Sequence, residues 1–309
     1  LESDSKRAYS DYAKMLMRCG RYEDALTAAR KYAELSDGNS PFPGRLVAQI
    51  LARMGRCAES AGESLTLYEK FNRVDDLTSA VEMFLIAGDT TSFFSLLKKY
   101  KETMGDSYYT QLKDYCMATG SDRKWLSAVK SISQGNSDRM RHLSNYYYLH
   151  GNYQKALAWI EQFYAAKPDS IMDRFIPVAC RRRLSITEGL DKAFEDGMKV
   201  LSSDNDPHYL PLYLTKKAYL YVAMGMFDEA KRCIDEAFAR PLCDFCHHAG
   251  CIDGYMALAL YYEAIGDYNR AAEACLDGQK IAPFDCDMGT ILRRLRKELT
   301  DTRRQIREI

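Results

Sequence analysis

The sequence predicts an all-α protein, built as a solenoid of paired helices that repeat along the chain. Three observations support this fold class. Apolar residues recur at helical spacing in successive segments, and strand signals, meaning alternating β-branched residues joined by tight turns, are almost absent. Single glycines separate the helical segments, at Gly20, Gly55, Gly88, Gly120, Gly151, Gly189, Gly225 and Gly266. The first five are 31 to 35 residues apart, a spacing typical of helical solenoids.

Residues 255–283 show the repeating element most clearly. Apolar residues recur at helical spacing on both sides of Gly266, which predicts two antiparallel helices with the glycine where the chain reverses. The small residues Ala259 and Ala271 are expected where the two helices approach most closely. The aromatic Tyr268, just after the turn, is expected to hold the helices apart.

The same order of residues, a glycine followed by an aromatic residue and then by an alanine, recurs at Gly20, Gly151 and Gly225. This pattern resembles the tetratricopeptide repeat, a 34-residue helix-turn-helix unit with small residues at the helix contacts. The resemblance implies a right-handed superhelical solenoid. Four units match it best: residues 6–39, 137–170, 209–242 and 252–285.

The segments between these units, residues 41–136 and 171–206, are predicted to be degenerate helical hairpins. Ser60 and Trp125 stand where the repeat places its small alanine. With these hairpins counted, the chain is expected to be a single array over residues 1–309, with about eight helix pairs. Residues 287–309 are predicted to form a capping helix over the last apolar face of the array, because they place five apolar residues on one helical face: Ile291, Leu292, Leu295, Leu299 and Ile306.

Composition limits the classes of partner and compartment. The chain has 309 residues, no formal net charge and a pI of about 7.1, so bulk charge favours neither nucleic acid nor a membrane surface. Ten scattered cysteines are too few for a disulfide scaffold, and we expect a reducing, cytoplasmic setting. The chain begins with Leu1 and shows no signal peptide, which predicts a fragment or a processed form, with a further domain left open.

A cysteine-rich loop interrupts the repeat rhythm at residues 243–251. Cys243, Cys246, His248 and Cys251 are thiol and imidazole groups of the kind that hold structural zinc, and Cys286 is a possible substitute for one of them. An ordinary loop between repeats, without a cofactor, is the competing interpretation. A redox pair lacks its usual βαβ context, and covalent haem attachment would require export.

The resemblance also implies a concave groove, lined by the first helix of each pair, that holds the ligand. Arg141 and Asn145 resemble part of a clamp for a C-terminal carboxylate, although unit one carries Ser10 and Lys14 at the matching positions. The other candidate contacts are assigned by the same register. The complete set of predicted partner-binding residues is Arg45, Gln49, Arg53, Arg141, His142, Asn145, Tyr148, Arg182, Lys216 and Tyr219.

Catalytic motifs are missing from the sequence, which has five histidines and no nucleophile elbow or phosphate-binding glycine loop. The arginine runs at residues 181–183 and 293–307 raise a nucleic-acid or acidic-membrane interpretation, but the run at 293–307 has no aromatic residues for base stacking and is interpreted as the solvated face of a cap. The sequence therefore predicts a non-enzymatic scaffold or adaptor that binds a peptide or protein, and neither nucleic acid nor membrane. A ligand- or metal-sensing regulator and the helical part of a larger enzyme are the alternatives, because one repeat architecture serves all three.

Overall fold

The computed structural model describes residues 5–203, 210–239, 252–281 and 286–307. Within these ranges all regular secondary structure is α-helical, as the sequence predicts. The eighteen helices described are α1 (Lys6–Arg18), α2 (Tyr22–Glu34), α3 (Phe42–Arg53), α4 (Cys57–Phe71), α5 (Val74–Ile86), α6 (Thr90–Lys99), α7 (Lys101–Met104), α8 (Asp106–Thr119), α9 (Asp122–Ser131), α10 (Ser137–Leu149), α11 (Tyr153–Ala166), α12 (Phe175–Arg183), α13 (Leu190–Leu201), α14 (Leu210–Met224), α15 (Phe227–Phe238), α16 (Ile252–Ala264), α17 (Tyr268–Ile281) and α18 (Cys286–Arg307).

Each predicted glycine break lies between two helices and has a positive φ. At Gly266 the φ angle is 82°, and the amide of Asp267 donates to the carbonyl of Tyr262 over 2.9 Å. This is the Schellman arrangement, in which a left-handed residue lets the chain satisfy the last carbonyls of a helix. Glycine adopts that conformation without steric cost, which explains why the turns could be read from the sequence.

The position five residues after the turn glycine is buried in every hairpin except the one at Gly189, where Phe194 is half-buried. Alanines at this position are completely buried in the clear units, and so are Phe93 and Trp125 in the degenerate ones. Ser60 is also buried, and its hydroxyl donates to the carbonyl of Ala48 on the facing helix over 2.8 Å. The degenerate segments therefore keep the helical-hairpin register, and larger or polar residues are accommodated at the helix contact.

The described chain divides into two compact units, the first made mainly of Leu1–Gln111. Its helices pack against their neighbours in sequence order, from α1 through α6. One buried cluster joins α1, α2 and α3 through residues such as Ala13, Ala25 and Ile50. An ion pair between Arg45 on α3 and Asp76 on α5 adds a polar link between consecutive hairpins.

The second unit consists mainly of Leu112–Arg240, Asp253–Gln279 and Asp285–Ile309. Its core is a series of clusters, each shared between one hairpin and the next, as expected for a solenoid. At the end of the series α18 packs Ile291, Leu292 and Leu295 against Ala259 and Ala271 of the last hairpin. This packing agrees with the predicted capping helix.

Candidate functional site

A cavity of about 370 Å³ opens between the first helices of successive hairpins in the second unit. We call it the aromatic notch. Side chains of α10, α12, α14 and α16, together with the first residue of α15, form its walls. They are Tyr148, Phe175, Ala179, Arg182, Arg183, Tyr219, Val222, Ala223, Phe227, Leu260, Glu263 and Ala264.

Three aromatic rings give the notch an ordered apolar wall. The centroid of the Phe175 ring lies 5.5 Å from the centroids of both the Tyr148 and the Tyr219 rings. The Tyr219 hydroxyl donates to the main-chain carbonyl of Asp253 over 3.0 Å, which fixes that ring against α16. Burial raises the pKa of Tyr148 to about 12, so its phenol stays neutral. Such a wall can bind apolar and aromatic side chains.

Charged groups of both signs lie at the rim of the notch. Arg182 is exposed, and its Nη1 donates to the carbonyl of Ala223 near the end of α14 over 2.8 Å. Arg183, also exposed, stands beside it on α12. Glu263 on α16 accepts two hydrogen bonds from Arg294 of α18, at 2.8 and 2.5 Å. Charged groups at the rim can therefore discriminate between partners by their charge.

The notch brings together three of the predicted partner-binding residues, Tyr148, Arg182 and Tyr219. Lys216 lies outside its lining and pairs with Asp253 over 3.0 Å, with a side chain only 14% exposed. Together, Lys216 and Tyr219 hold the start of α16 against α14.

The predicted contacts earlier on α10 are also outside the notch. Arg141 forms an ion pair with Asp173, with Nη1 and Oδ2 3.4 Å apart. Burial lowers the pKa of His142 well below its usual value, with the positive charges of Lys113 and Arg141 acting in the same direction, so the imidazole is neutral. Asn145 is half-buried. In the expected clamp of Arg141 and Asn145, the guanidinium of Arg141 is therefore already paired with a carboxylate of the protein itself.

A second cavity, of about 290 Å³, lies between α3, α4 and α5 in the first unit, and the predicted contacts Arg45 and Gln49 are among the residues that line it. Arg45 binds Asp76 through two hydrogen bonds of 2.6 and 2.9 Å, and this interaction raises the pKa of Arg45. Arg53 is only 1% exposed, so its guanidinium adds almost nothing to the accessible surface. The acidic rim of this cavity, Asp75 and Asp76, was not anticipated from the sequence.

Phe175, Arg183 and Glu263 are among the notch residues that sequence reasoning missed. The predicted set contains only polar and tyrosine side chains, so the apolar Phe175 was left out, and Arg183 was not included beside Arg182. The arginine run of residues 293–307 was interpreted as the solvated face of a cap. That interpretation was wrong for Arg293 and Arg294 of α18, which are both half-buried. Arg293 donates to the carbonyls of Met117 and Ala118, 175 or more residues away, and only their sequence distance hid this contact.

The predicted zinc ligands Cys243, Cys246, His248 and Cys251 lie outside the described residues. In the parts of the chain that are described, no group of three or more metal-ligating side chains comes together. Four of the described cysteines, Cys57, Cys116, Cys180 and Cys275, are buried, and burial raises the pKa of Cys180 to about 12, which makes it a packing residue rather than a nucleophile. Of the helices described, none combines the length and the apolar character needed to cross a membrane.

Residues 215–285 match the family model of the tetratricopeptide repeat. The matched range contains α15, α16 and α17, most of α14, and most of the walls of the notch. The chain is a helical solenoid of the tetratricopeptide-repeat type, as its sequence pattern predicts. No match is found by sequence among curated proteins.

Three solved structures are similar to this chain, and one of them has a TM-score above 0.5. Yeast Tom70 is 12% identical and aligns over 98% of this chain and 66% of its own length, with a TM-score of 0.51. The Cut9–Hcn1 hetero-tetramer of the APC/C is 14% identical and aligns over 96% of this chain and 57% of its own chain, with a TM-score of 0.47. A thermophilic tetratricopeptide-repeat protein of Thermus thermophilus is 17% identical and aligns over 62% of this chain and 98% of its own chain, with a TM-score of 0.40. This chain spans less than two thirds of the first two proteins.

Proteins built from this repeat share a general role. Tetratricopeptide-repeat solenoids generally act as scaffolds for protein–protein interaction and are typically not enzymes. Their stacked hairpins create extended surfaces that hold a partner along several repeats.

Proposed function

We propose that this chain is a non-enzymatic scaffold that binds a peptide or protein partner at the aromatic notch of its second unit. One observation carries the proposal: the first helices of four consecutive hairpins contribute an aromatic wall and a rim of both charges to a single cavity. Interfaces concentrate their binding energy in aromatic and arginine residues that surround a pocket. The notch has this composition.

The chemistry of the notch defines the contacts that a partner would make. An apolar or aromatic side chain of the partner would lie against Phe175 and Tyr219, where it would be removed from water. Arg182 and Arg183 are the cations proposed to receive a partner carboxylate, because both are exposed. Arg141 and Asn145 remain proposed contacts for a longer partner. That partner would have to exchange the ion pair of Arg141 with Asp173 for one of its own.

Arg45 and Gln49 mark the cavity of the first unit as a second proposed contact site, for a partner with a basic or hydroxyl group. Its exposed acid Asp75 supports that choice. The buried thiols of Cys57, Cys116 and Cys180, which pack inside the fold, support the proposed reducing, cytoplasmic setting. The sensing alternative depends on residues 243–251, which lie outside the described chain, so no observation favours it over the scaffold.

A charge-reversal pair tests the proposal against a matched control. Arg182→Glu/Arg183→Glu reverses two adjacent cations at the notch, and Lys231→Glu/Arg232→Glu reverses two adjacent cations on the exposed face of α15. Partners are captured from native lysate with the wild type and both variants, and identified by mass spectrometry. Circular dichroism establishes that each variant is folded.

The proposal predicts at least one protein that is retained by the wild type and the α15 variant and lost from the notch variant. Identical partner sets for all three proteins would refute it, because two reversed charges at the rim must weaken a partner that binds there.

A further inference from the structure

We propose that α18 occupies the groove of the second unit as an intramolecular ligand, and that the partner is an amphipathic helix with the same side-chain pattern that takes its place. The inference rests on the proposed function and specifies the class of partner. Each part of the proposal comes from contacts that α18 makes with the other helices of the second unit.

The apolar face of α18 has the spacing of a helix that binds in a groove. Met288, Ile291, Leu292 and Leu295 are all at most 6% exposed and stand at positions i, i+3, i+4 and i+7. Met288 fills a space opposite Gly278 of α17, where an added Cβ would lie 2.1 Å from the methionine sulfur. The groove is thus shaped to receive these apolar side chains.

A second row of contacts takes α18 beyond the hairpin that it caps. The Nη1 atom of Arg293 donates to the carbonyl of Ala118 over 3.1 Å, and Nη2 donates to the carbonyl of Met117. These carbonyls belong to the last turn of α8, where a cation is favoured by the helix dipole. Gly289 stands at the same contact, where an added Cβ would lie 3.4 Å from the Ala118 oxygen, an ordinary van der Waals distance. A cap for α16 and α17 alone would not need this contact with α8.

The third contact places α18 at the rim of the aromatic notch. Arg294 binds Glu263, which lines the notch, through a bidentate pair. Its charge also acts on Tyr148, where it opposes the effect of burial on the pKa of that phenol. The first turn of α18 brings Asp287 close to Arg141. The charges of α18 thus act on Arg141 and Tyr148, two residues that the sequence predicted for partner binding.

The contacts of α18 also contain one unfavourable element. Burial raises the pKa of the Asp287 carboxyl, and the nearby carboxylates of Asp173 and Asp114 act in the same direction, against Lys113 and Arg141. An external helix that carried the apolar spacing and the two arginines could make each of the contacts described above, and it could therefore compete with α18 for the groove.

The test uses the full-length chain and a labelled peptide of residues 286–307, with serine in place of Cys286 to prevent oxidation. Fluorescence anisotropy measures peptide affinity for the wild type, for Arg294→Glu, and for the control Arg296→Glu, which changes an exposed residue of the same helix. In the wild type, α18 competes at a high effective concentration. We expect the Arg294→Glu chain to bind the peptide about tenfold more tightly than the wild type, the change that loss of one such ion pair produces. The Arg296→Glu chain should behave like the wild type.

A charge swap keeps the result interpretable if one variant is poorly folded. Glu263→Arg should also release α18, and that chain should bind a peptide carrying Arg294→Glu in preference to the unmodified peptide. The double variant Glu263→Arg/Arg294→Glu should restore the ion pair in reverse. Its affinity for the peptide carrying Arg294→Glu should therefore return to the value that the wild type shows for the unmodified peptide. Equal affinities in all chains, or equal gains for Arg294→Glu and Arg296→Glu, would overturn the inference.

The two proposals fail in different ways. If the peptide shows no preference while the lysate partner is still lost from the Arg182→Glu/Arg183→Glu variant, the notch binds a partner and α18 is a permanent cap. If the peptide behaves as expected while lysate capture is unchanged, the α18 groove is real and the notch is not the site that lysate partners use.

Discussion

Substitution of Arg294 by glutamine should loosen α18 without unfolding the rest of the second unit. The change keeps most of the side-chain volume and removes the charge and one half of the bidentate contact with Glu263. The carboxylate that is left behind is only partly solvated, because the Glu263 side chain is 21% exposed. It therefore loses its counter-ion without fully regaining water.

The size of the effect follows from the exposure of the pair. Fully exposed ion pairs contribute about 0.2 to 1 kcal/mol, whereas hydrogen bonds to charged groups contribute about 1.5 to 3 kcal/mol. The side chains of Arg294 and Glu263 are 27% and 21% exposed, so the pair lies between these limits. We expect the free energy of opening α18 to fall by about 1 to 2 kcal/mol, which corresponds to roughly 5- to 30-fold faster local opening.

Hydrogen exchange read by mass spectrometry measures this quantity directly, because it reports the opening of each peptide segment. Amides of residues 288–300 should exchange faster in Arg294→Gln than in the wild type, while those of α11 and α13 should keep their rates. Arg296→Gln, on the exposed face of the same helix, is the control. Unchanged exchange in α18, or equal acceleration throughout the second unit, would refute the reasoning that this ion pair holds α18 locally.

Three further perturbations address the fold. Ala271→Leu should destabilise the protein by about 1 to 3 kcal/mol through overpacking, since Ala271 is completely buried at the helix contact, while Glu273→Leu on the exposed side should lower the melting temperature far less. Gly151→Ala should cost about 1 to 2 kcal/mol in urea unfolding although no atom obstructs its Cβ, because φ is +73°, and Gly151→Asn should cost less. Burial depresses the pKa of His142 in the folded state, so only the unfolded state gains a proton below about pH 6.5. The melting temperature should therefore fall between pH 7 and pH 5, and His142→Leu should flatten that dependence; an unchanged slope in the variant would contradict the assignment.

The fold could be predicted because its determinants are local. A left-handed glycine and the hydrogen bonds around it involve residues within six positions of one another, so the turn at Gly266 is visible in any window that contains it. The helical spacing on either side is equally local. Even Trp125, which breaks the small-residue pattern, did not hide its hairpin, because the glycine and the helical periodicity were sufficient.

The candidate site could be predicted only in part, because its decisive contacts are distant in sequence. The register selected Tyr148, Arg182 and Tyr219, which all line one cavity. It did not reveal that Arg141 would already hold Asp173, which lies in the connection before α12 and has a positive φ. The same amphipathic pattern fits a cap whose arginines are solvated and a helix whose arginines bind other helices of the fold. For this reason Arg293 was assigned to solvent. Periodicity reports which face is apolar and leaves the partners of the polar face undetermined.

The two roles of α18 restrict what can replace it. Its apolar residues cover Ala259 and Ala271, so a partner that removed α18 and gave nothing in return would expose the closing face of the last hairpin. An extended peptide can supply charges to Glu263 and to the end of α8, yet it does not present side chains at i, i+3, i+4 and i+7 on one face. A helix supplies both sets of contacts at once. The capping function therefore argues that a displacing partner is helical, and it explains why the arginines and the apolar residues occur together on one short segment.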